Sequence, residues 1–105
     1  MAITRYTTPT ISFEVDLDLT NAKLWLSLEQ GCVELTKQIE TFTVDDGKTS
    51  FDITLSQEES ARFEAKAPIE VQLNYIFADG SRDATEILRL SSYRNLLEEV
   101  KGYAD

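Results

Sequence analysis

Ile69-Glu70-Val71-Gln72-Leu73-Asn74-Tyr75-Ile76-Phe77 is the stretch that decides the fold. Ile69, Val71, Leu73, Tyr75 and Phe77 recur at every second position, and successive side chains of a β-strand point to opposite faces. The run therefore reads as a long strand with one face buried. Pro68 sets its start and Asp79-Gly80 closes it with a turn. Upstream the same grammar repeats. Residues 10–17 alternate through Ile11, Phe13, Val15 and Leu17, and residues 23–29 place Leu24, Leu26 and Leu28 on one face. Gln30-Gly31 allows a tight reversal into a strand over 32–37. Residues 39–44 suggest a short strand, Asp46-Gly47 a two-residue turn, and Phe51, Ile53 and Leu55 the strand that follows. The return strand at 83–91 is less regular. Its alternation slips between Ile87 and the pair Leu88 and Leu90, which points to a bulge or to burial on both faces.

Two segments depart from this pattern. Ser56-Gln57-Glu58-Glu59 fits a capping box and predicts a short helical turn to about Phe63, whose ring is expected to plug the bottom of the core. Residues 92–101 read as an amphipathic helix: Tyr93, Leu96, Leu97, Val100 and Tyr103 share one face, Ser92 can cap the start and Gly102 sits where helices stop. The expected architecture is all-β. An N-terminal arm (1–9) precedes an immunoglobulin-like antiparallel β-sandwich (10–91) of about seven strands. The helical turn lies between strands five and six, and a C-terminal helix and tail (92–105) follow.

At 105 residues the chain is one domain, and its 42% hydrophobic content supports a globular core. The net charge of −9 repels phosphate backbones and anionic lipid surfaces, which argues against nucleic-acid and membrane binding. No apolar run approaches the ~20 residues that cross a bilayer. The first residues lack the pattern of a signal peptide, so synthesis in a cytoplasm is the expectation. There is no histidine, which removes Ser-His and Cys-His pairs and the usual zinc sites. Cys32, the single cysteine, reads as a small, partly buried apolar side chain beside Gly31.

Paired carboxylates are frequent, but none comes with the apolar pocket and aromatics that glycoside hydrolysis requires. Asp16-Leu17-Asp18, followed by Thr20 and Asn21, is the densest oxygen cluster. It lacks the glycine and distal glutamate of an EF-hand loop and reads as a solvated strand end. No catalytic residue, metal site or cofactor is expected. The hairpin tips, with Asp45, Asp46, Asp79, Ser81 and Arg82, are the exposed loop candidates. Trp25 and Ile76 lie opposite the main apolar faces of their strands. They mark either an interface or a place that the arm, the final helix or a minor outer cluster covers. The apolar face of the final helix poses the same choice between its own sandwich and another subunit.

With these residues placed, the chain resembles the small all-β proteins encoded among virion genes of tailed phages and prophages of Gram-positive bacteria. The resemblance is carried by Thr8-Pro9-Thr10, by Leu28-Glu29-Gln30-Gly31 before Val33-Glu34-Leu35-Thr36-Lys37, by Leu55-Ser56-Gln57-Glu58-Glu59-Ser60 with Phe63, and by Ile69-Glu70-Val71-Gln72-Leu73. The Asp79-Gly80 hairpin and a strand ending near Leu96 complete it, so that it spans almost the whole chain. It implies an immunoglobulin-like sandwich acting as a virion structural or adaptor module near tail, baseplate or receptor-binding proteins. Its partners would be other virion proteins or further copies of itself, and its final location the particle. The alternative is a sandwich that binds cell-surface carbohydrate through its loops.

Overall fold

A computed structural model of the chain describes residues 2–103. Nine strands and one short helix follow in order: β1 (Ala2–Thr4), β2 (Thr10–Val15), β3 (Lys23–Gln30), β4 (Val33–Ile39), β5 (Thr43–Asp45), β6 (Lys48–Thr54), α1 (Gln57–Ala61), β7 (Ile69–Ile76), β8 (Arg82–Ala84) and β9 (Leu88–Tyr93). The larger sheet runs β1-β9-β7-β3-β4, with β8 also on β7, and the smaller runs β2-β6-β5. All pairings are antiparallel except β1 with β9, which is parallel. The protein is thus all-β with one mixed sheet.

The alternation read from the sequence is what the sheets bury. Leu24, Leu26 and Leu28 from β3 and Ile69, Val71, Leu73 and Tyr75 from β7 share one core with Ile11 and Phe13 from β2 and Phe51 and Ile53 from β6. Each such side chain stabilises the fold by roughly 1.5–3 kcal/mol through the apolar area it takes from water. Phe63 is fully buried and plugs the core after α1, as its place in the sequence predicts. The turn chemistry also follows the sequence. Asp46 and Gly47 both adopt positive φ (51° and 73°), as the tightest hairpin class requires, and they close Asp45 onto Lys48. Ser56 caps α1 with both halves of the capping box formed.

The return strand is broken, and its register shows how. Asn74 pairs with Ala84 and Val71 with Leu88, so the step from 71 to 74 on β7 faces the longer step from 84 to 88. One extra residue makes a β-bulge and reverses which parity faces inward: Asp83 lies opposite buried Tyr75, whereas Leu88 and Leu90 lie opposite buried Val71 and Ile69. That reversal is the slip visible in the sequence. Thr85 bridges the gap, donating its N–H to the Leu73 carbonyl (2.9 Å) and accepting the Leu73 N–H at Oγ1 (3.1 Å).

Several expectations are corrected. The final helix does not form: Ser92 and Tyr93 extend β9, and residues 94–103 contain no helical residue. The reason is competition from tertiary hydrogen bonds. The Ser92 carbonyl accepts the Lys66 N–H, the Tyr93 carbonyl accepts the Arg5 N–H, and Asn95 donates Nδ2 to the Arg5 carbonyl while accepting the Leu97 N–H. An isolated ten-residue helix is too marginal to withstand such partners. The arm is not merely extended, because Ala2–Thr4 joins the sheet and Ile3 is fully buried. Met1, Ala104 and Asp105, the outermost residues of the arm and the tail, lie outside the described residues. The strand expected over 39–44 is divided, with Ile39 ending β4 and β5 starting at Thr43. Leu19, expected in a connecting turn, is fully buried, held by Thr49, whose Oγ1 accepts the Leu19 N–H and donates to the Leu17 carbonyl. Cys32 is exposed at the β3–β4 hairpin tip rather than partly buried. Gly31 (φ 57°) takes the first central position of that turn, where an L side chain would be strained.

Candidate functional site

The chain passes from β1 to β2 through only five residues, so the β1 edge of the larger sheet and the β2 edge of the smaller lie on one side of the core. Along this seam the core is closed in one half and open in the other. In the closed half, Ile3 fills the gap and α1 backs it. The buried Ser60 Oγ accepts the Thr7 N–H (3.0 Å) and donates to the Thr7 carbonyl (2.7 Å). In the open half, beyond the reach of β1, a groove of about 390 Å³ descends between the sheets.

The groove floor is aromatic and aliphatic. Phe13 and Phe51 stack with ring centroids 5.4 Å apart, and Leu26, Leu73 and Tyr75 complete it. Its two lips are sheet edges. One is the end of β2 with Asp16 and Leu17; the other is the end of β8 and the bulge, with Thr85, Glu86 and Leu88. Leu17, two residues past β2 on its inward parity, and Leu88, on the inward parity of β9, are both exposed. Glu14, Asp16 and Glu86 supply three exposed carboxylates, and none of the groove's lining residues is a lysine or arginine. Lys48 approaches from outside the groove, 3.6 Å from Glu14. Burial raises the Tyr75 phenol above its ordinary pKa, and the Asp83 charge adds to the shift, so the hydroxyl is neutral across the physiological range.

A second apolar surface lies on residues 94–103. Leu96 is 88% exposed, and Leu97, Val100, Tyr103 and the preceding Tyr93 are exposed as well. The segment is nevertheless fixed to the body. Arg5 pairs with Glu98 (3.1 Å) and donates to the Ala61 carbonyl, while the Gln57 amide holds both the N–H and the carbonyl of Lys101. All five tail candidates are exposed, on a stretch held by hydrogen bonds instead of by a helix.

The other candidates are placed differently. Trp25 and Ile76 are half-buried on the outer face of the larger sheet. Trp25 pairs with Asn74 and Lys23 with Ile76, which makes Trp25 and Ile76 diagonal neighbours on that face. The loop candidates are engaged in building turns. Asp79 Oδ1 accepts both the Ser81 hydroxyl (2.6 Å) and the Ser81 N–H (2.8 Å); these bonds hold its carboxyl below the ordinary range. Asp45 and Asp46 form the β5–β6 tip, and Arg82 reaches Asn74 at 3.4 Å. Asp18 likewise folds back on Thr20, whose hydroxyl and N–H lower its pKa. Among the described residues no three Asp, Glu, Cys or His side chains converge as metal ligands, and no helix is long and apolar enough to cross a membrane. Sequence reading missed the groove. Its signals were the slip in alternation at 87–88 and the continuation of the β2 pattern to Leu17, one residue past Asp16. No family model matches the chain, and neither a curated protein nor a solved structure is significantly similar to it.

Proposed function

We propose that this chain is a non-enzymatic structural or adaptor module that acts through protein–protein contacts, in the tail, baseplate or receptor-binding region of a phage or prophage particle. One observation carries the reading: Leu96, Leu97, Val100 and Tyr103 are all exposed on a segment that an ion pair and hydrogen bonds fix to the domain. Exposed apolar side chains on a backbone held in place, instead of trailing freely, lose less entropy when a partner covers them. The virion setting rests on the sequence resemblance.

The strand order supports an immunoglobulin-like form of the sandwich. The orders β9-β7-β3-β4 and β2-β6-β5 match the G-F-C-C′ and B-E-D orders of variable-type domains, and α1 falls at the E–F position. β1, the strand that would be A in such a domain, pairs with β9 and not with β2.

Light scattering after size exclusion, alone and with each co-encoded virion protein, tests the function. A complex that forms with the native chain and disappears in Leu96→Ser/Val100→Ser/Tyr103→Ser is the expected result. A strict monomer at high concentration, with no affinity for any of those proteins, would overturn the reading. Carbohydrate binding through the loop tips has no comparable support, because Asp79 and Ser81 are bonded to each other.

A further inference from the structure

We propose that the seam groove is a receptor for a basic, extended segment of a partner protein, which lies along the free edge of β2 and drops an apolar side chain between the sheets. The inference rests on the reading of the chain as an interaction module and names the partner's chemistry at a surface separate from the tail.

Three properties of the groove converge on that occupant. The first is topological. β2 is the end strand of a three-stranded sheet, and with β1 paired to β9 no described strand takes its outer edge. Such an edge presents unpaired N–H and carbonyl groups to which an extended peptide can add as a further strand. The second is packing. Ile3 fills the closed half of the seam, whereas Phe13, Phe51 and Tyr75 line an open cleft of about 390 Å³ in the other half. Side chains alternate along a strand, so every second residue of an added segment would point into that cleft. The third is charge. Asp16 and Glu86 crown the two lips, Glu14 beside them is shared with Lys48 at 3.6 Å, and the chain as a whole carries −9.

The charge also decides among occupants. A second copy of this chain would set carboxylates against carboxylates along the edge, and edge charges of this kind are how sheet proteins avoid pairing with themselves. An anionic amphiphile would bring its headgroup to the same lips and be repelled. Lysine or arginine side chains on the outward parity of an added strand meet the lip carboxylates while the inward parity fills the cleft.

The probe is a synthetic peptide that alternates lysine with valine and phenylalanine, titrated into the ¹⁵N-labelled full chain at low salt. A glutamate-for-lysine peptide and decanoate serve as controls. Resonance shifts are expected over residues 13–17 and 84–88, with slowed amide exchange along β2. Asp16→Lys/Glu86→Lys, whose unchanged far-UV spectrum certifies the fold, is expected to weaken binding at least about ten-fold at low salt, with a smaller difference as salt is raised. Leu96→Ser/Tyr103→Ser should bind the peptide unchanged. The proposal falls if the lysine peptide does not bind at millimolar concentration, if the charge reversal leaves affinity intact, if the glutamate peptide or decanoate binds as well, or if the tail variant abolishes binding. A silent groove in a chain whose tail variant still loses its virion partner would overturn this inference and leave the proposed function standing.

Discussion

The two halves of the seam are built from the same strands and end in opposite states. In the α1 half, every device points inward: Ile3 and Phe63 are fully buried, Ser60 joins α1 to the segment before β2, and Arg5 and Gln57 tie the tail across the outside. In the half beyond β1, equally apolar side chains form the floor of an open cleft, and their neighbours Leu17 and Leu88 are exposed. Hydrophobicity does not separate the halves. What separates them is whether a further strand of the chain covers the gap. Both halves share the core, since the floor of the cleft (Phe13, Phe51, Leu26, Leu73 and Tyr75) is itself buried; what the open half leaves available for contact is its rim, with Leu17 and Leu88 exposed.

Mutations that remove this asymmetry have a ranked set of effects. Phe63→Ala in the closed half is expected to cost about 3–5 kcal/mol, because the emptied site is bounded by packed sheets that relax only partly. A shift of the denaturation midpoint at constant slope would record it. Ser60→Ala should cost about 1–3 kcal/mol, since the Thr7 N–H loses its acceptor in a partly buried place, and a loss within error would mean that water replaces the hydroxyl there. Ser56→Ala removes the cap of α1 and is expected to cost ~1 kcal/mol. At the lip of the open half, Leu88→Ser should change stability by no more than about 0.5 kcal/mol, as exposed positions away from packing do. A large loss at Leu88 would show that the rim of the cleft is packed like its floor and would erase the contrast.

The closed half also has a pH signature. Burial pushes the Glu59 carboxyl upward, but the Ser56 N–H, the Lys37 ammonium at 3.0 Å and the Ser56 hydroxyl together outweigh it and lower the pKa. A carboxyl whose folded pKa lies below its unfolded one stabilises the fold fully above the unfolded value. That contribution is lost as pH falls through the folded value. Stability should thus decline on acidification across the carboxylate range, and Glu59→Gln should flatten part of that decline. Equal acid sensitivity in the native chain and the variant would remove Glu59 from the account.

Much of this was legible in the sequence. Alternation located the main strands, Asp46-Gly47 and Ser56 through Glu59 set two connections, and Phe63 could be assigned to the core. The slip near Ile87 marked the bulge. The tail shows why legibility ended there. Tyr93, Leu96, Leu97, Val100 and Tyr103 repeat with helical spacing, yet partners distant in sequence, Arg5 and Gln57, take the backbone and side-chain groups that a helix would have organised. Ile3 was hidden for a related reason: the few apolar residues of the threonine-rich arm, Met1, Ala2, Ile3 and Tyr6, follow no strand period. The groove was hidden because a cleft between two strand edges is no property of either strand.

The sequence by itself determined an all-β chain, its principal turns, its capped helical turn and the face each long strand buries, since these follow from side-chain geometry and capping within a few residues. Only the tertiary structure decided that β1 pairs in parallel with β9, that the tail is lashed instead of helical, and that half of one seam stays open. Those outcomes depend on which distant backbone groups meet, and local periodicity carries no information about that choice.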